Sequence, residues 1–292
     1  MALPVLLGAN VDPVWEDPHY PLRLAQQVDA SGLDYITIQD HPYQSAFYDA
    51  WTLLTFLAAC TERVTLVPTV ANLPLRPPAV LAKATASLAL LSGGRVQLGL
   101  GAGAFWDAIA AFGGPRRNGK EAVDALDEAI DVIRALWSGD RSVRAGGTHY
   151  QVKGAHPGPP AAPGLGIWLG AYRPRMLALT GSKADGWIPS LGFLGLDKLP
   201  DAVARIDDAA SAAGRDPAAI RKVYNVGGMI APESAEPFQG SVRQWIDQLV
   251  TIVHEHGMNG FTFWPNDDRE QQLAIFAAEV APAVRAALPT SA

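Results

Sequence analysis

Cysteine is nearly missing from this chain: Cys60 is the only one in 292 residues. A lone thiol excludes an internal disulfide and any metal site built from cysteines, and it fits a reducing compartment. Basic residues never gather into a block and the formal net charge is −6, so neither nucleic acid nor an anionic membrane is an expected partner. No unbroken apolar run approaches the roughly 20 residues that a membrane-spanning helix needs. The opening stretch MALPVLLGANVDP lacks a basic n-region and its apolar run is short, so no secretory leader is expected and a cytoplasmic location is. What the chain does have is core material. Apolar residues make up 49% and charged residues 18%, enough for one large α/β barrel or two average domains.

One local pattern recurs along the chain. An amphipathic helix runs into glycine and a short β-rich stretch follows, as in LAQQVDASGLDYITIQD, LALLSGGRVQLGLGAG, LALTGSKADGWIPS and LVTIVHEHGMNGFTFWP. Glycines 32, 93 and 257 suit the left-handed position just past a helix end. Strand candidates span 3–9, 33–40, 63–71, 95–101, 166–171, 185–189, 221–230 and 260–264. Helical patterns lie between them at 19–31, 49–60, 77–91, 119–137, 173–183, 198–213, 241–256 and 268–287. Asp49, Ser241 and Asp268 are placed to cap helices, and Pro77-Pro78 suits a first turn, where a missing N–H costs nothing. Eight alternating βα units predict a parallel (β/α)8 TIM barrel formed by residues 1–292 as one domain. The segment SVRAGGTHYQVKG breaks the rhythm and reads as a hairpin inserted between strands four and five.

Barrel active sites lie at the C-terminal ends of the strands. Strand two ends in Tyr35-Ile36-Thr37-Ile38-Gln39-Asp40-His41, with Tyr35, Thr37, Gln39 and His41 expected to face inward. Asp40-His41 is the acid–imidazole pair visible at a strand end; the same histidine also reads as a hydrogen-bonded structural residue. Strand three ends Thr69-Val70-Ala71-Asn72, and strand eight ends at Trp264. Strand four carries Gly99, Gly101 and Gly103 at alternate positions, which empties one of its faces for a close approach by backbone or ligand. The dinucleotide fingerprint GxGxxG is not met, because Ala104 and Trp106 stand around the place of its third glycine.

Other barrel chemistries find little support. None of the six lysines sits at the C-terminal end of a strand, as a Schiff-base aldolase requires. A metal-dependent hydrolase needs several converging histidines and carboxylates, and a glycosidase needs two facing acids. Chemistry supplied by a cofactor remains. The turn Gly170-Ala171-Tyr172-Arg173, between a strand and a helix, offers backbone N–H groups and a helix dipole to a phosphate. It reads equally as an ordinary βα turn with exposed arginines. Arg116-Arg117 reads as a solvated turn.

Four stretches together resemble the bacterial luciferase-like family of flavin-dependent oxidoreductases: DHP at 40–42, LSGGRVQLGLGAG at 91–103, IWLGAYRPRMLALTGSKADGWIPS at 167–190 and GSVRQWIDQLVTIVHEHGMNGFTFWP at 240–265. The DHP and GAYRPRM segments are most similar to the branch that uses the 5-deazaflavin coenzyme F420. That resemblance implies a barrel whose strand-four glycines, Gly101 and Gly103 among them, make room for the ring. It implies Asp40 bonded to the ring and His41 over its reacting face, as acid, base or electrostatic stabiliser. It further implies a non-prolyl cis peptide near Thr69-Val70, Asn72 beside the ring, Asp107 with Gly103 lining the pocket, and Gly170, Ala171, Tyr172 and Arg173 at the phosphate. The sugar-phosphate dehydrogenases of this branch carry a glutamate where Ala104 stands, so a sugar phosphate is not the expected substrate. The implied function is hydride transfer between F420 and a small organic substrate, in a homodimer. An FMN-dependent monooxygenase and a flavin-binding barrel without turnover are the alternatives.

Overall fold

Residues 3–288 are described by a computed structural model. The barrel strands are β1 (Leu6–Asn10), β2 (Tyr35–Ile38), β3 (Thr65–Pro68), β4 (Leu98–Gly101), β5 (Ile167–Leu169), β6 (Gly186–Trp187), β7 (Arg221–Gly228) and β8 (Gly260–Pro265). All their pairings are parallel, in the order β3-β2-β1-β8-β7-β6-β5-β4. A short extension of β3, Ala71–Asn72, pairs with Leu100–Gly101 of β4, and a bridge between Leu66 and Val96 completes the circuit. This is the (β/α)8 barrel that the alternation predicts. All but β8, which runs one residue further, are shorter than their sequence patterns, because their outer residues serve as connections.

The helices are α1 (Tyr20–Ser31), α2 (Ala50–Cys60), α3 (Pro78–Leu91), α4 (Trp106–Ala111), α5 (Gly119–Trp137), α6 (Pro174–Lys183), α7 (Leu199–Ala212), α8 (Val242–His256), α9 (Arg269–Ile275) and α10 (Ala281–Ala287). None of the described helices is long and apolar enough to cross a membrane. Asp49 caps α2 by accepting from the N–H of Thr52 at 2.9 Å, and Ser241 with Gln244 forms a reciprocal capping box on α8. Asp268 does not cap α9: its own backbone is left-handed and its side chain makes no cap bond. The last predicted helix is divided, with a π-helical turn at Phe276–Val280 joining α9 to α10. Val143–Gly146 and Gln151–Ala155 form the antiparallel hairpin between β4 and β5.

Alternate residues on each strand divide the core into two layers. Leu7, Ile36, Leu66, Leu98, Leu100, Tyr224 and Phe263 face outward and bury against the helices. Inside the barrel, Tyr35, Val67, Trp168, Ile188 and Val223 form an apolar plug. Fully burying each such side chain contributes about 1.5–3 kcal/mol. Above the plug the inner face turns polar. The Tyr35 hydroxyl lies 3.0 Å from Oγ1 of Thr262, and Thr37 donates to Oδ1 of Asn10 at 3.1 Å. The plug closes the bottom, so anything that binds does so at the C-terminal mouth.

Candidate active site

The emptied face of β4 points inward, as its alternation implies, yet much of it is filled by the protein itself. A Cβ on Gly99 would lie 1.9 Å from the carbonyl oxygen of Pro68, and one on Gly101 would lie 2.5 Å from Cγ2 of Val70. A Cβ on Gly170 would meet both methyls of Val70 at 3.3 Å. Gly101 and Gly170 therefore form a cradle for Val70, and the Thr69–Val70 peptide bond is cis. This changes the meaning of the glycines: at Gly99 and Gly101 the close approach is made by the end of β3, not by a ligand. Gly103 has φ +95° and lies against Pro74 and Trp106, at the turn into α4.

Just past β2, Asp40 is buried to 3% exposure. Its carboxylate accepts from the N–H of Asn72 at 2.8 Å and from Arg76 at 2.6 and 2.8 Å. Arg76 reaches on to Asp49, the cap of α2. Asp40 thus ties the ends of β2 and β3 together, with both oxygens already engaged. Nothing in the sequence around position 76 marks that arginine as its partner. His41 follows, with Nδ1 2.8 Å from the hydroxyl of Tyr43 and its ring beside those of Phe47 and Phe105. Burial pushes the His41 imidazole below its ordinary range, and the neighbouring Asp40 charge opposes that only in part.

Around the mouth, three buried polar atoms have no partner among the described residues: Oδ1 of Asn72, Oδ1 of Asn225 and Nε1 of Trp264. Asn225 shares the inward face of β7 with Val223 and donates to Ser190 at 3.0 Å. Its place two residues beyond an inward valine was the signal that could have identified it. Asp12, beyond β1, is a second acid at the mouth. Burial pushes its carboxyl up, against Arg269 at 2.7 Å and the Asn10 amide at 2.8 Å.

The β5–α6 turn lies across the barrel from β2. Gly170 N–H bonds to Leu100, and the carbonyl of buried Ala171 accepts from Nε1 of Trp187 at 2.9 Å. Tyr172 contacts Ser190 and the ring of Phe193, and Arg173 is the exposed N-cap residue of α6. Asp40, His41 and Asn72 come together, Gly101, Val70 and Gly170 meet, and the pairing of Asn72 with Gly101 joins the two groups. Asp107 joins neither group: it is exposed in the first turn of α4 and paired with Arg116. Arg117 is not simply solvated, because its guanidinium lies over the Tyr150 ring at 5.0 Å and bonds to its hydroxyl at 3.1 Å.

Known proteins share this architecture. F420-dependent glucose-6-phosphate dehydrogenase of Nocardia farcinica is 29% identical over 92% of this chain and 95% of its own length. Phthiodiolone/phenolphthiodiolone dimycocerosates ketoreductase of Mycobacterium bovis is 33% identical over 75% of this chain, a stretch that is 57% of the relative. An F420-dependent secondary alcohol dehydrogenase, solved with an F420-acetone adduct, superposes with a TM-score of 0.85 at 19% identity, covering 97% of this chain and 100% of that one. At that identity the superposition speaks for the fold. The sequence profile of the luciferase-like monooxygenase family matches residues 2–287, and the chain belongs to that family.

Proposed function

We propose that this barrel is an oxidoreductase that moves a hydride between the deazaflavin coenzyme F420 and a small organic substrate bound at the C-terminal mouth. The observation that carries the reading is the set of unpartnered polar atoms there: two acceptors, on Asn72 and Asn225, and one donor, on Trp264. Each such group costs about 1–3 kcal/mol if nothing satisfies it. A planar ring with both N–H and C=O groups on its edge answers that demand, and a deazaflavin has such an edge. The Nocardia relative, similar over nearly its whole length, supports F420 in particular.

In this reading Asn72 holds the ring edge, and Asp40 with Arg76 holds Asn72 in place. Val70, seated on Gly101 and Gly170, gives the ring a surface to lie against. Gly170, Ala171, Tyr172 and Arg173, at the start of α6, offer N–H groups and a positive dipole end to the coenzyme phosphate. The bound coenzyme supplies the hydride donor or acceptor. His41, kept neutral by burial, handles the proton or hydrogen bond at the substrate oxygen. The enzyme works as a cytoplasmic homodimer, joined through the exposed apolar residues of α2 and α3.

The family's monooxygenase description favours FMN as a second reading. Fluorescence titration of the purified protein with F420, FMN and nicotinamides separates the two. Saturable binding of F420 with much weaker FMN binding is expected. A clear preference for FMN, or binding of neither, overturns the proposal.

A further inference from the structure

Tyr43 lies two residues after His41, and its hydroxyl oxygen is 2.8 Å from Nδ1 of the imidazole. That contact allows two arrangements. Either the phenol donates to a bare Nδ1, or a protonated Nδ1 donates to the phenol oxygen. Donor and acceptor strength decides between them: a phenol O–H is a stronger donor than a neutral imidazole N–H, and a bare imidazole nitrogen is a stronger acceptor than a phenol oxygen. Oδ1 of Asn72 has no partner among the described residues, so it does not take the phenol proton. The phenol proton therefore has Nδ1 of His41, 2.8 Å away, as its acceptor.

We infer that Tyr43 is a positioning residue: it donates to Nδ1 and so holds His41 as the tautomer with its proton on Nε2. The site then presents an N–H to an oxygen that accepts, such as the carbonyl oxygen of a ketone or aldehyde. This rests on the His41 role proposed above and adds the chemical character of the oxygen it meets.

The surroundings favour the arrangement. Phe105 stands edge-on to the imidazole at 5.6 Å and Phe47 lies at 6.5 Å, and neither ring competes for a nitrogen. The charged group beside His41 is Asp40, whose oxygens are held by Arg76 and the Asn72 N–H. Burial, aided by the Asp40 charge, pushes the Tyr43 hydroxyl up to about 12, so it keeps its proton at neutral pH.

The test is nitrogen NMR of histidine-labelled protein without coenzyme, with the His41 resonances assigned by their loss in His41→Ala. An imine-type Nδ1 and a pyrrole-type Nε2 are expected in the wild type. In Tyr43→Phe the two signals should move toward each other as the tautomers mix. Turnover should fall roughly 10-fold with coenzyme affinity unchanged, as when the orienting partner of a ligating imidazole is removed. A pyrrole-type Nδ1 in the wild type overturns the proposal, as does a Tyr43→Phe spectrum identical to wild type. The wild-type spectrum decides even if the variant fails to fold. Because it needs no coenzyme, its outcome is independent of whether F420 binds.

Discussion

A single methyl group at Gly99 would sit 1.9 Å from the carbonyl oxygen of Pro68, where backbone cannot yield without shifting the β3–β4 junction. Gly99→Ala is therefore expected to cost roughly 1–3 kcal/mol, the range for overpacking a close-fitting interior, and thermal unfolding will register it. An unchanged melting temperature would refute the close approach. His41 carries the expected chemistry. Its replacement by alanine should lower turnover roughly 100- to 10,000-fold, the range for acid–base or electrostatic help, while coenzyme titration stays near wild type. A joint loss of binding, turnover and stability would instead mark a structural histidine. His41 also makes stability depend on pH. Burial depresses its folded-state pKa, with Asp40 opposing, below the unfolded value of about 6.5. The unfolded chain thus binds the proton first as pH falls. The contribution is complete above about pH 6.5 and is lost as pH drops through the folded value. Between pH 8 and 5 the melting temperature of wild type should fall more steeply than that of His41→Gln; parallel curves would remove this claim.

At the scale of elements, the Arg76 cluster is the joint of the mouth. One guanidinium spans Asp40 at the end of β2 and Asp49 at the start of α2, while Asp40 also holds the N–H of Asn72. Removing one member of a buried pair leaves the other charge without compensation, at a cost of roughly 3–5 kcal/mol. Arg76→Ala should show such a loss in denaturant unfolding, and a loss under about 1 kcal/mol would mean that Asp40 finds water easily. Why the sequence reveals β2 and α2 but not their joint is physical. Strand alternation, the Asp49 cap and the Gly32 and Gly257 helix ends are local patterns carried by neighbouring residues. The Asp40–Arg76 pair joins residues 36 apart, and no spacing rule brings them together. The same limit explains the glycines. Their inward face was legible from parity, but that Val70 would occupy it depends on how β3 ends, which a one-strand pattern does not contain. The short helix α4 leaves no periodic trace in the sequence, because six residues beginning Trp106-Asp107 are too few to show a helical period.

For the whole molecule, exposed apolar residues fall into two groups with different meanings. Trp15, Phe105, Phe112 and Phe193 belong to connections that follow barrel strands, the side on which substrate arrives. Phe56 on α2 and Val80, Leu90 and Leu91 on α3 lie on the outer helices, where a monomer gains nothing from exposing them; Leu91 is 82% exposed. Covering them requires another surface, and a second copy of the same face supplies one through twofold symmetry. A dimer persisting at micromolar concentration needs roughly 8 kcal/mol of net association, which interfaces burying above about 1,000 Å² in total deliver when apolar at their centre. Light scattering of the wild type at micromolar concentration should therefore give twice the chain mass. Val80→Asp with Leu91→Asp puts two like charges into each half of that contact and should yield the monomer. Because both side chains are exposed on α3 and neither is among the residues assigned to the site, coenzyme binding by the monomer should match that of the dimer. A wild type that scatters as a monomer, or a double variant that remains dimeric, rejects the α2–α3 face as the interface.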